Sequence, residues 1–123
     1  MLQYMVIGLG GALGAITRVA LGKLLPVSIM GIPFQILFVN ILGCFVMGLL
    51  TEIMLLRWPV TDNLRSFWIS GVLGGFTTFS SFALEFGLLL KKNEIISAMI
   101  YATLSFAVSI IFFFIGIKLA RIS

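Results

Sequence analysis

Four apolar runs, each about as long as a membrane-spanning helix, occupy nearly all of this 123-residue sequence. They cover residues 4–25, 34–56, 66–90 and 94–117. One helical crossing of a bilayer needs about 20 apolar residues. A chain that is 61% hydrophobic and 10% charged could not hide so much apolar surface in a small soluble fold. The sequence therefore predicts an all-α membrane protein with four transmembrane helices, which form a single domain over residues 1–123.

The third run contains an unusual segment, Gly74–Phe82, in which two adjacent glycines precede four hydroxyl residues. Each glycine weakens a helix by about 1 kcal/mol relative to alanine, and threonine and serine side chains can bond backbone groups in non-helical ways. We therefore expect the third helix to break mid-membrane. Freed backbone groups are tolerated at membrane depth only where protein buries them or where they line a polar cavity. This segment is the predicted functional centre, with Phe79 and Phe82 on one face beside the break.

Two polar side chains in the first and second runs each allow two interpretations. Arg18 lies about two turns from the end of the first run, where it either extends to the lipid headgroups or faces a wet vestibule and attracts anions. Asn40 lies inside the second run, where its amide either joins two helices or offers its N–H to a permeating species. Cys44 is the only cysteine; it excludes an intrachain disulfide and is predicted to be a small packing residue.

Hydroxyl side chains recur every four residues in the fourth run, at Ser97, Tyr101, Ser105 and Ser109. This spacing places them on one stripe of a helix. Serines in membrane helices often bond the carbonyl four residues earlier, which would make the stripe a purely local feature. Against an otherwise apolar face, a polar track along the helix is the interpretation that we favour.

The interior polar groups predict the chemistry of the cargo. They are hydroxyls, one amide, phenyl rings and free backbone, with no carboxylate or lysine near the middle of a run. Hydroxyl and amide hydrogens and the positive edges of phenyl rings suit a small anion, whereas carbonyls freed at a helix break suit Na⁺. No nucleophile and base pair is visible, so we predict no enzyme and no organic cofactor. The basic residues form no patch, so no nucleic acid partner is expected.

Lysine and arginine are divided equally between the two sides that a four-span chain defines. The side of the termini has Arg57, Arg65, Lys118 and Arg121, and the opposite side has Arg18, Lys23, Lys91 and Lys92. Since Lys/Arg asymmetry sets orientation, this tie supplies no bias. Either the chain inserts in both orientations and pairs with an inverted copy as an antiparallel, dual-topology homodimer, or flanking lipids or a dominant first helix decide the orientation.

Three segments together resemble the Fluc, or CrcB, family of fluoride channels. They are Gly10–Ala15 with Arg18, Val39–Gly43 with Gly48, and Gly74–Phe82 followed by Glu85. The resemblance spans essentially the whole chain, and the Gly-Gly-x-Thr-Thr-Phe-Ser run is its most specific part. It implies a fluoride-selective channel in the plasma (inner) membrane that conducts F⁻ passively and lowers cytoplasmic fluoride. It also implies an antiparallel, dual-topology homodimer surrounded by membrane lipid.

The resemblance further implies which residues act. By position, the anion pore comprises Phe79, Phe82, Asn40, Tyr101, Ser105 and Ser109, with Arg18 in a vestibule. A structural Na⁺ at the dimer interface would be held by the backbone carbonyls of Gly74 and Thr77 from each copy. The chain departs from the family pattern at Val19, where an aromatic is common, and at Ile36, where a hydroxyl residue is common. Ile36 removes a possible pore hydroxyl from the second run.

The alternative is a small dual-topology, proton-coupled exporter that resembles the small multidrug resistance transporters, which have the same four-span size. Such exporters rely on an acidic residue deep in the first helix. The first run of this chain has none.

Overall fold

The structure, a computed structural model, describes residues 1–25, 34–56 and 60–122, and within these ranges it is helical with no strand. Its four long elements are α1 (Leu2–Leu24), α2 (Phe34–Leu56), span 3 (Asp62–Lys91) and α6 (Ile95–Ile122). Each is long and apolar enough to cross a membrane, which makes the chain a multi-pass membrane protein, as predicted. Arg57, one of the residues in the charge tie, lies outside the described ranges.

Span 3 is composed of several helical pieces. They are α3 (Asp62–Arg65), a π-helical segment (Ser66–Leu73), α4 (Gly74–Phe76) and α5 (Phe79–Lys91). Between α4 and α5 the backbone of Thr77 and Thr78 is extended, with ψ angles of 154° and 123°. The interruption therefore lies inside the segment in which a break is predicted. It is formed by two threonines, whereas the adjacent glycines remain helical, so of the two residue types that predicted the break the hydroxyl residues provide it.

The glycines of span 3 instead allow α1 to approach closely. A Cβ placed on Gly75 would lie 2.5 Å from the carbonyl oxygen of Gly11, and one placed on Gly71 would lie 3.0 Å from the Cα of Gly10. A side chain at either position would collide with backbone, which cannot rotate away as a long side chain can. Small residues at a helix interface permit such backbone contact in membranes. The close packing of α1 against span 3 therefore requires glycine at positions 71 and 75.

The helices α2 and α6 form a second close pair. Gly48 of α2 lies against the backbone of Phe113, and a Cβ on Gly116 of α6 would lie 2.8 Å from the backbone nitrogen of Leu49. At the end of both helices, Arg121 donates to the buried carboxylate of Glu52. A buried charge is tolerated when it is paired. These contacts hold α2 and α6 in parallel and in a fixed register.

The two helix pairs meet around a small apolar core. Its buried residues come from α2, α5 and α6, and they are Leu37, Phe82, Leu89, Ala98 and Tyr101. This core lies next to the interruption in span 3, because one of its members, Phe82, is only four residues after Thr78. The break is therefore set between the two helix pairs, where α2 and α6 both reach it.

Candidate functional site

Asn40 binds the interrupted backbone of span 3. The Thr78 N–H donates to Asn40 Oδ1 at 2.8 Å, and Asn40 Nδ2 donates to the Thr78 carbonyl oxygen at 3.0 Å. The amide thus satisfies both backbone groups of the most extended residue in the break. Of its two interpretations, the structure supports helix joining directly. The carboxamide has a second N–H, and Asn40 also lines the groove described below.

The two threonine hydroxyls end one helix and begin the next. Thr77 Oγ1 donates to the Leu73 carbonyl at 3.0 Å, the same oxygen that accepts the Thr77 N–H. Thr78 Oγ1 accepts from the Ser81 N–H at 3.1 Å, which is the ordinary geometry of a helix N-cap. Local hydroxyl bonding, expected to compete with the helix, is therefore what shapes the interruption.

The carbonyl groups of the last turn before the break lose their regular helical partners. In a continuous helix the Gly74 carbonyl would accept from the Thr78 N–H, and the Thr77 carbonyl would accept from the Ser81 N–H. Asn40 takes the first of these donors, and the Thr78 hydroxyl takes the second. This releases the Gly74 and Thr77 carbonyls from their helical donors, whereas the Gly75 carbonyl, which lies in the same turn, accepts from Arg18 Nε. Carbonyl oxygens are hard ligands, so their chemistry fits a hard cation such as Na⁺.

A groove of about 220 Å³ opens beside the break. Its walls come from α2, span 3 and α6, and the lining residues are Asn40, Cys44, Thr77, Thr78, Phe79, Phe82, Ser105, Phe106 and Ser109. The structure thus brings together five of the seven residues proposed for the anion pore: Asn40, Phe79, Phe82, Ser105 and Ser109. Tyr101 and Arg18 lie outside this wall.

The phenyl rings of the groove differ in exposure. Phe82 is 6% exposed and lies deep in the protein, whereas Phe79 is 68% exposed at the open side. Their centroids are 5.4 Å apart. Phe106 of α6 lies 6.4 Å from Phe79 and 5.6 Å from Phe82. A third ring, that of Phe106, therefore completes the aromatic wall, and the sequence does not distinguish it from the other phenylalanines of the fourth run.

Three hydroxyl groups of α6 are buried without a hydrogen bond of ordinary geometry to any described residue. They belong to Tyr101, Ser105 and Ser109, which are 0%, 9% and 7% exposed. The serines therefore do not bond the carbonyl four residues earlier, although Thr17 does so in α1 at 2.7 Å. Buried hydroxyls without partners are costly. Their hydrogens are free for a ligand, and Tyr101 approaches the site through its ring, 5.0 Å from Phe82.

Arg18 occupies a separate place. Its Nε donates to the Gly75 carbonyl at 3.4 Å, and its side chain lines a second cavity of about 200 Å³ between α1 and α2. Lys23 lines the same cavity, as do Val19 and Ile36, the two positions that depart from the family pattern. Arg18 thus contacts the backbone of α4 from α1. The geometry is compatible with a vestibule, and it does not bring Arg18 to the phenyl rings.

Comparison with known proteins identifies the family. Residues 5–117 match the family described as CrcB-like protein, Camphor Resistance (CrcB). A protein of Thermus thermophilus named fluoride-specific ion channel FluC is 41% identical over 118 residues, which cover 95% of this chain and 94% of that protein. Proteins with the same name from Prosthecochloris aestuarii and Rhizobium meliloti are each 36% identical, and the alignments cover 96% and 97% of this chain and 92% and 96% of theirs. The predicted resemblance is confirmed, and the chain belongs to the CrcB family.

Proposed function

We propose that this chain is a fluoride-selective channel that conducts F⁻ passively across the plasma (inner) membrane and so lowers cytoplasmic fluoride. The names of its relatives support fluoride as the cargo. The structural observation that carries the proposal is the convergence of free hydroxyl groups and phenyl rings on one groove beside a broken helix. These groups are the ones that a small anion needs when it leaves water.

The groove offers an anion partial positive charge and no full charge. None of the described residues that line it can carry a positive charge. Hydroxyl hydrogens of Ser105 and Ser109 and the positive edges of the rings replace hydration. Conduction requires an ion to bind well enough to enter and weakly enough to leave. Partial charges satisfy that condition better than a buried lysine or arginine would.

An antiparallel second copy would close the open side of this groove. Phe79 is 68% exposed there, and hydroxyl-lined surface facing lipid would be unfavourable. The equal division of Lys and Arg favours insertion in both orientations. The homodimer and its dual topology are therefore part of the proposal. A Na⁺ at the interface, held by the Gly74 and Thr77 carbonyls, would use the oxygens that the break releases.

The alternative, a proton-coupled exporter, has no comparable support. It requires a buried carboxylate that is free to exchange a proton. In the described part of the chain the buried carboxylate is Glu52, which lies in the last turns of α2 and is paired with Arg121. A pairing of this kind at a helix end fits a structural role.

The proposal predicts rapid, selective fluoride efflux. Purified protein in liposomes loaded with KF is expected to release F⁻ when valinomycin is added, as measured with a fluoride electrode, whereas KCl-loaded liposomes release Cl⁻ no faster than protein-free ones. Phe82→Ile is expected to reduce F⁻ efflux by about 100-fold, because a branched aliphatic side chain has no positive ring edge. A proton gradient is expected to have no effect on the rate.

The matched control is Phe112→Ile, the same exchange on α6. Phe112 lines an apolar cavity with Phe38 and Phe45, outside the groove. This variant should conduct as the unmodified protein does. Equal F⁻ and Cl⁻ rates, or equal effects of the two substitutions, would contradict the proposed function.

The proposed Na⁺ predicts a cation dependence of stability. Protein prepared with Na⁺ is expected to unfold at a higher temperature than protein prepared with N-methylglucamine, because a ligand that binds only the folded state stabilises it. The measurement is thermal unfolding in detergent across a titration of NaCl at constant ionic strength. Restoration by Na⁺ and not by Cs⁺ would identify a small site, and identical curves in all three cations would refute it.

A further inference from the structure

Cys44 lies in the groove, although its sequence position suggested only a small packing residue. It follows Asn40 by one helical turn, so the two side chains occupy the same face of α2. Both line the groove, opposite Ser105 and Ser109 of α6. The Cys44 side chain is half-buried. The i, i+4 spacing from Asn40 is the sequence signal that could have identified it.

The neighbour of this thiol is a hydroxyl that lacks a partner. The side chains of Cys44 and Ser109 lie side by side across the contact between α2 and α6. Ser109 is 7% exposed, and its oxygen makes no hydrogen bond of ordinary geometry to a described residue. A thiol is a weak donor and a weak acceptor, so it can orient the Ser109 hydroxyl without binding it tightly. Because sulfur is a weak acceptor, the Ser109 hydroxyl can exchange this contact for an ion in the groove, and the S–H stays free to donate as well.

The position of Cys44 is also fixed. Gly48, one turn further along α2, lies directly against the backbone of Phe113. Gly43, the preceding residue, faces the Phe76 ring, which a Cβ at position 43 would approach within 3.2 Å. These close contacts set the register of α2 against α6 and span 3. The thiol therefore lies level with Ser109 along the helix axes and beside the interruption at Thr77.

We propose that Cys44 is a further residue of the anion pathway, whose thiol supplies a weak S–H donor from α2 and orients the Ser109 hydroxyl on α6. This inference rests on the proposed function, and it extends the polar lining from one helix to two. On α2 the lining consists of the Asn40 amide followed by the Cys44 thiol.

The inference is tested by substitutions that separate hydrogen bonding from size. Cys44→Ser keeps a donor, Cys44→Val keeps a similar volume without one, and Cys44→Ala removes both. Loss of one hydrogen bond to the ion predicts F⁻ efflux about tenfold slower in Cys44→Val and Cys44→Ala. Cys44→Ser should conduct at a rate close to that of the unmodified protein. The control is Val46→Ala, a truncation on another face of α2 that should change nothing.

Chemical modification gives an independent test, because the chain contains one cysteine. Methyl methanethiosulfonate converts the thiol to a methyl disulfide and releases methanesulfinate, which removes the S–H donor and adds bulk. Modification of the unaltered protein is expected to stop F⁻ efflux and to leave Cys44→Ser unaffected, with mass spectrometry as the check on completeness. A fully modified protein that still conducts would overturn the inference, as would a thiol that the reagent cannot reach. Failure of the unmodified protein to conduct F⁻ would instead refute the proposed function.

Discussion

Replacement of Asn40 by leucine is expected to abolish F⁻ efflux and to destabilise the folded protein. Leucine has the same branched side-chain shape as asparagine, although it is bulkier, and it cannot bond the N–H and C=O of Thr78, which Asn40 holds at 2.8 and 3.0 Å. Each buried backbone group left without a partner costs about 1–3 kcal/mol. Two such groups at one residue would cost up to roughly 2–6 kcal/mol, and less where the Thr78 N–H pairs again with the Gly74 carbonyl. The loss is large compared with the net stability of a small protein.

The predicted loss of conduction has a separate cause. If Asn40 is absent, the Thr78 N–H can return to the Gly74 carbonyl, which is its partner in a regular helix. The interruption would then close and the groove beside it would change shape. Fluoride efflux from liposomes and thermal unfolding in detergent measure the two effects separately. We expect efflux to fall below detection even at temperatures where the variant remains folded.

Gln35→Leu is the matched control for this variant. Gln35 is also an amide on α2, and it makes a hydrogen bond to a backbone carbonyl, that of Leu25, at 3.2 Å. It lies near the start of α2, where it lines the cavity of Arg18 and not the groove beside the break. Its removal is expected to reduce stability slightly and to leave fluoride selectivity unchanged. If Asn40→Leu conducts as well as Gln35→Leu, Asn40 does not maintain the interruption.

The sequence predicts the four spans well because length and hydropathy decide them. A run of about 20 apolar residues has few options other than to cross a membrane. The location of the break is also predictable, because Thr77 and Thr78 carry hydroxyls that compete locally with helical hydrogen bonds. The spans and the break both depend on residues that are close together in sequence, and both lie in the structure where the sequence predicts them.

The details of the site depend on partners that are distant in sequence. Gly74 and Gly75 favour a break by intrinsic propensity, yet both stay helical, and Gly11 of α1 packs against Gly75. The two interpretations of Asn40 could not be separated until Thr78, 38 residues away, was found beside it. Cys44 and Phe106 gain their significance from the opposite wall of the groove. Tertiary packing overrides propensity in these cases.

The contact between α1 and span 3 predicts opposite results for two glycines of the same helix. A Cβ on Gly14 would lie 2.8 Å from the backbone nitrogen of Phe76 and 2.9 Å from the carbonyl carbon of Val72, whereas a Cβ on Gly8 would meet nothing within 4 Å. We therefore expect Gly14→Ala to destabilise the protein by about 3 kcal/mol, the upper range for inserting a group into packed structure. Gly8→Ala should be neutral or stabilising by up to about 1 kcal/mol, through helix propensity alone.

The same pair of variants separates general destabilisation from a specific effect on the break. The backbone that Gly14 contacts, Val72 to Phe76, ends one residue before Thr77. Displacement of α4 would therefore move the carbonyls and rings that flank the groove. Thermal unfolding should show the stability difference, and fluoride efflux below the unfolding temperature should fall in Gly14→Ala and not in Gly8→Ala. Equal stability and equal efflux in the two variants would mean that α1 does not position the interruption, and the groove would then owe its shape to α2 and α6 alone.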